Sequence, residues 1–98
     1  KIDILVNNAG INVGADERKT VEHFSDKWWK AITSVDLDGV FNCSKAAIPY
    51  MTGENASIIN ISSITGMVPL RNQCAFAAAA SAQDHSDAFF RDFYIYIF

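Results

Sequence analysis

Ile2-Asp3-Ile4-Leu5-Val6-Asn7-Asn8-Ala9-Gly10 is the stretch on which the reading of the fold turns. A short apolar run, rich in branched side chains and closed by a cluster of turn-forming residues, fits a parallel strand buried on both faces. Ser57-Ile58-Ile59-Asn60-Ile61-Ser62 repeats the pattern and predicts a second strand. Between them, Ser25 is placed to cap a helix opening at Asp26, whose carboxylate suits the positive end of the helix dipole. Trp28, Ile32 and Val35 recur at three-to-four spacing, and Val40, Phe41, Ser44, Ala47, Ile48 and Met51 continue the series. The periodicity predicts one helix over 26–50, with Gly39 as its weak point or a close packing contact, ended by Pro49 and Gly53.

Outward from this unit, residues 11–24 mix Gly14 with charged side chains, lack a period and read as a surface loop. Residues 63–72 form a second loop containing Gly66 and Pro69, and the alanine-rich run that follows predicts a helix over 73–91. Strand, long helix, strand, helix is the rhythm of a right-handed βαβ unit. The expected fold class is α/β: a doubly wound parallel sheet, incomplete, with about two strands and two long helices. The tail from Phe93 to Phe98 is uncharged and strong in β propensity, which makes it a strand of a larger protein or an aggregation-prone segment. The sequence opens on Lys1 and stays aromatic to its last residue, so it is expected to be an excerpt of a longer chain, one partial domain over 1–98.

Composition narrows the partners. The 98 residues are 50% hydrophobic and 19% charged, with a formal net charge of −3, which excludes a disordered chain. Basic residues are scattered, and the only adjacent pair is Arg18-Lys19, so there is no electrostatic footprint for nucleic acid or an anionic membrane surface. No apolar run approaches the ~18 residues of a membrane span. Cys43 and Cys74 make neither a CxxC motif nor a disulfide framework; both are expected to be reduced, buried and inert, in a cytoplasmic setting. His85 beside Asp84 and Asp87 reads as a solvated helix face, His23 being distant, so no metal site is expected. Trp28 and Trp29 read as packing residues.

In a doubly wound sheet, ligands bind beyond the carboxyl ends of the strands. Asn7-Asn8-Ala9-Gly10 and Ser62-Ser63 occupy that position: small residues and amides on one side, hydroxyls on the other. Asn7 and Asn8 also suit a plain turn, and Ser63 a strand-end cap.

Four segments carry a resemblance. Asp3 to Gly10 resembles the NNAG strand end of the short-chain dehydrogenase/reductase family, and Ser34-Val35-Asp36-Leu37-Asp38-Gly39-Val40-Phe41 its central helix. Ser57 to Ser63 resembles the strand that delivers the family's serine, and Gln73-Cys74-Ala75-Phe76-Ala77-Ala78 the start of its active-site helix. These segments stand in family order over 1–82, while 83–98 is unmatched. The resemblance implies a Rossmann-like fold, NAD or NADP as cofactor, and hydride transfer between nicotinamide and a secondary alcohol or ketone.

It also implies roles for particular positions. Ser63 falls on the serine that steadies the substrate oxygen, Phe76 on the tyrosine acid/base, Ala80 on its lysine helper, and Asp36 on the asparagine of the proton relay. Asn8, Ala9, Gly10 and Ile61 fall on the cofactor side. Three of the four catalytic positions therefore depart from the family. Asp36 keeps the size of asparagine and a backbone carbonyl. Phe76 has no proton to exchange, where general acid–base catalysis typically supplies ~10²–10⁴-fold. Ala80 removes the ammonium that would make a phenolate accessible near neutral pH. The five glycines make no G-x-G phosphate cradle. The expectation is a truncated, inactive relative of an oxidoreductase. The rival expectation is a non-catalytic partner that forms homo- or hetero-oligomers through helices 26–50 and 73–91, or a degraded product without function.

Overall fold

The computed structural model of the chain describes residues 1–68, 70–84 and 93–97. Two strands, β1 (Ile4–Asn7) and β2 (Ser57–Ser62), pair in parallel with Leu5 opposite Ile58 and Asn7 opposite Asn60. A third, β3 (Phe93–Ile97), pairs in parallel with β2, giving the order β1-β2-β3. The tail is thus a strand of the same sheet, and the sheet has one strand more than the two expected.

Side chains alternate across a sheet, so Leu5, Asn7, Ile58 and Asn60 share one face. Asn7, Ile58 and Asn60 are buried there, and the helices lie over that face. Ile4 and Val6 point the other way and stay 61% and 51% exposed. The expectation that the first strand is buried on both faces therefore fails: within this chain the helical layer covers only one.

The expected 26–50 helix is a continuous helical run with a fault in it. It comprises α1 (Asp26–Thr33), a π-helical segment over Ser34–Asp38, α2 (Gly39–Ala47) and a closing 3-10 turn over Ile48–Tyr50. Ser25 caps α1 as predicted, its hydroxyl accepting from the Trp28 amide at 3.4 Å. Thr33 donates from Oγ1 to the Trp29 carbonyl at 2.8 Å, a back-bond that favours bending just before the π segment. Gly39 stands where the π segment gives way to α2, which matches its reading as a weak point.

The last helix, α3 (Cys74–Asp84), starts one residue after its expected beginning. The expected continuation over 85–91 lies outside the described residues. Ala75, Ala79 and Ala80 are buried, and α3 packs on α1, the π segment and β2. Small side chains permit that close approach. The core joins Val13, Ile32 and Ala75, with Phe24, Trp28 and Phe76 packed against them. Trp28 is the packing residue expected; Trp29 is exposed. Residues 11–24 form the surface loop expected, with two single 3-10 turns and Val13 as its buried anchor. Cys43 is exposed rather than buried, because it lies on the side of α2 toward the open flank of β1, and Cys74 is half-buried. Both thiols are free. Among the described residues, no helix is long and apolar enough to cross a membrane.

Candidate active site

The carboxyl ends of β1 and β2 and the first two turns of α3 enclose a cavity of about 50 Å³. Ala9, Gly10 and Ile61 line it on the strand side, and Asp36, Ser63, Phe76 and Ala80 complete the wall with Ser62. Seven of the eight site residues named from sequence thus meet in one place. Asn8 lines a neighbouring cavity beside β1 instead.

Each wall has a local cause. Beneath the strand ends, Asn7 donates from Nδ2 to Asn60 Oδ1 at 2.8 Å and to Ser44 Oγ at 3.2 Å. This buried layer ties β1, β2 and α2 together, and a slip of one residue in the β1–β2 register would turn the amides to opposite faces. Asn7 is therefore a scaffold residue rather than a cofactor contact. The parity of the sequence carries that signal: Asn60 sits in phase with Ile58 inside an apolar strand, where an amide calls for a buried partner.

Above that layer, the loop leaving β1 is held twice. The Ile11 amide donates to Asp36 Oδ1 at 2.7 Å, reaching from the loop to the π segment. Asn12 donates from Nδ2 to Gln73 Oε1 at 2.8 Å, linking the same loop to the start of α3. Asn72 has φ +60°, a left-handed conformation that asparagine tolerates, and the turn it makes leads into buried Gln73. Neither bridge was foreseen from sequence, since each joins residues far apart in the chain through side chains that look like ordinary loop polars. A π turn is a frequent companion of functional sites, and here it carries Asp36 into the wall.

Asp36 is 3% exposed. Burial holds its carboxyl pKa above the ordinary range, and the Ile11 hydrogen bond opposes that rise. Ser63 does act as a strand-end cap: its Oγ accepts from the Thr65 amide at 3.2 Å and donates to Thr65 Oγ1 at 3.2 Å. It lines the cavity as well. Ser62 donates to the Ala80 carbonyl at 3.1 Å and fastens β2 to α3. Opposite these oxygens stand the Phe76 ring and the Ala80 methyl, neither of which can exchange a proton.

The short chain dehydrogenase family matches this sequence over residues 1–87. The chain belongs to that family. Trans-4-hydroxycyclohexanecarboxylate dehydrogenase of Sinomonas cyclohexanicum is 46% identical over 78 residues, which is 80% of this chain and 29% of that protein. A 3-oxoacyl-(acyl-carrier-protein) reductase of Thermotoga maritima is 39% identical over 80 residues, 81% of this chain and 31% of that one. Among solved structures, the ligand-free aldohexose dehydrogenase of Thermoplasma acidophilum superposes with a TM-score of 0.75 at 37% identity, covering 84% of this chain and 31% of that one. A 3-ketoacyl-(acyl-carrier-protein) reductase from Brucella melitensis, solved with NADH, gives 0.72 at 28% identity over 83% and 34%. The chain spans less than a third of the length of the two curated relatives, and the Rossmann-type α/β fold is shared with the solved ones.

Proposed function

We propose that this chain is the middle portion of an NAD(P)-dependent short-chain oxidoreductase, acting on a small secondary alcohol or ketone, and that its own site does not turn over. The observation that carries this reading is the cavity itself. Serine, the central-helix position and both α3 positions converge on it, yet the last two are a phenyl ring and a methyl group.

The residues present fit one end of a nicotinamide cofactor and not the other. Ala9 and Gly10 are exposed and small at the open end of β1, and a methyl added at Gly10 would stand 3.6 Å from Asp36 Oδ1, on the cavity floor. With Asn8 and Ile61 they would hold the nicotinamide side. The 98 residues contain no G-x-G turn for the pyrophosphate. When bound, such a cofactor supplies or accepts hydride; this chain's own contribution is orientation by Ser63 and the β1 loop. A proton for the substrate oxygen has no source in Phe76 or Ala80. The purified chain, assayed by nicotinamide fluorescence against a panel of secondary alcohols and ketones, is expected to show no steady turnover; steady turnover contradicts the reading.

A second reading is favoured by one observation. Phe41 and Ile48 are exposed and seven positions apart, on one side of the helical run, and Trp29 and Tyr50 are exposed along it. Pairing with another copy or a full-length relative through the 26–50 run and α3 would cover these side chains. Co-expression with such a relative and size-exclusion chromatography tests this, and absence of a mixed species counts against it. A cytoplasmic setting belongs to the same proposal, in keeping with two free thiols.

A further inference from the structure

A third cavity, of about 300 Å³, lies where the 11–24 loop meets the starts of α1 and α3. Val21, Phe24, Asp26, Trp29 and Cys74 line it, and none of these residues lines either of the cavities already described. Its volume stands at the lower bound of small-ligand sites, which run from about 300 to 1,000 Å³. Phe24 anchors one wall, since it packs against the core of Val13, Ile32 and Ala75.

The lining is apolar and aromatic except at its sulfur and one acid. Asp26 is its only charged side chain. Ser25 explains why that carboxylate is spare. The serine hydroxyl accepts from the Trp28 amide at 3.4 Å and its carbonyl from the Trp29 amide at 2.9 Å, so the first turn of α1 draws on Ser25 and not on Asp26. Among the described residues the ion pair is between Lys1 and Asp3, and Lys30, one turn along α1, does not close on Asp26. An anion placed between these rings would meet a like charge and no side-chain cation. A neutral apolar body would leave the carboxylate unanswered. A cation attached to an apolar ring answers both, its ring against Val21, Phe24 and Trp29 and its ammonium beside Asp26, where an aromatic face adds to the attraction.

We propose that this cavity binds a small monocationic amine built on a single ring, with Asp26 as the counter-ion. The site is separate from hydride transfer, so it stands or falls apart from the oxidoreductase reading. Trp29 also belongs to the face that pairing would cover, which makes a second copy of the chain the competing occupant. Cys74 supplies a reporter that separates the two. It is free, half-buried and part of the lining, whereas Cys43 is free, exposed and lines a different cavity.

The intact chain is alkylated with iodoacetamide at neutral pH and constant ionic strength, and the rates at Cys74 and Cys43 are followed separately by peptide mass spectrometry. Phenethylamine hydrochloride is expected to slow Cys74 saturably and to leave Cys43 unchanged. Phenethyl alcohol, its neutral counterpart, is expected to protect Cys74 only at higher concentration, and phenylacetate, an anion of similar shape, least of all. Asp26→Asn, an exposed change that keeps side-chain size, is expected to raise the half-protecting amine concentration about three- to fivefold, toward that of the alcohol. An amine no better than the alcohol, equal slowing at both cysteines, or an Asp26→Asn titration matching the parent overturns the proposal. Protection of Cys74 that grows with protein concentration and ignores the amine also overturns it, and gives the face to a second copy. The ligand comparison needs no variant to fold.

Discussion

The two walls of the cavity differ in what holds them and in what they can do. The strand-side wall is fixed by four side-chain ties: Asn7 to Asn60 and to Ser44 below, Ile11 to Asp36 and Asn12 to Gln73 above. The α3 wall is fixed by packing of Ala75, Ala79 and Ala80 and by one bond from Ser62. Neither set of supports uses a phenol or an ammonium. The shape of the site therefore comes from backbone, amides and small side chains; in the proposed reading, proton transfer would need two further groups at the α3 wall, where this chain carries Phe76 and Ala80.

The largest stability effect is expected from the layer under the strand-side wall. Asn7→Ala removes the donor that Asn60 Oδ1 and Ser44 Oγ accept from, in a buried setting. A loss of about 1–3 kcal/mol in a urea melt is expected. A near-neutral result would mean the two walls do not depend on this layer, and the contrast between them would weaken.

Asp36→Asn is expected to act in the opposite direction. The folded-state pKa of Asp36 is raised, so between the unfolded carboxyl value and the raised one the folded chain binds more protons. Stability accordingly falls as pH climbs through that window, and the deficit is complete above the folded pKa. Replacing the acid with asparagine keeps an acceptor for the Ile11 amide and removes the deficit. A melting temperature a few degrees higher at pH 7 is expected, with the gain shrinking toward pH 3. A constant gain at every pH would point to packing instead of ionisation.

The smallest effect belongs far from both walls. The Ser25 cap bond is long, at 3.4 Å, so Ser25→Ala is expected to cost no more than about 0.5–1 kcal/mol. An unchanged cavity, read from the Ile11 and Phe76 amide shifts, would show that α1's start does not set the site.

Much of this was legible in the sequence, for physical reasons that differ by element. The second strand runs over the residues its branched side chains mark, and the cap at Ser25 is a local event that a local pattern reports. The fault at Ser34–Asp38 is not local. It serves a hydrogen bond to Ile11, twenty-five positions away, and side-chain periodicity cannot register one extra residue in a turn. Asp36 was reached through family resemblance alone, since an acid inside a helical run otherwise reads as exposed. The exposed Ile4, Val6 and Cys43 show a further limit: apolar character marks what is fit for burial, whereas the layer that would cover it is a matter of the whole fold. Asn60 is the instructive intermediate case, because strand parity does announce that its amide must find a partner.

The separation of shape from acid is tested most directly by a graft. Residues 1–87 replace the matching segment of an active full-length relative, and NAD(P)H oxidation is measured with that relative's own carbonyl substrate. The account predicts a folded chimera without measurable turnover that gains at least ~10²-fold on combined Phe76→Tyr and Ala80→Lys. Turnover in the unaltered graft, or a folded double variant that stays inert, would contradict it.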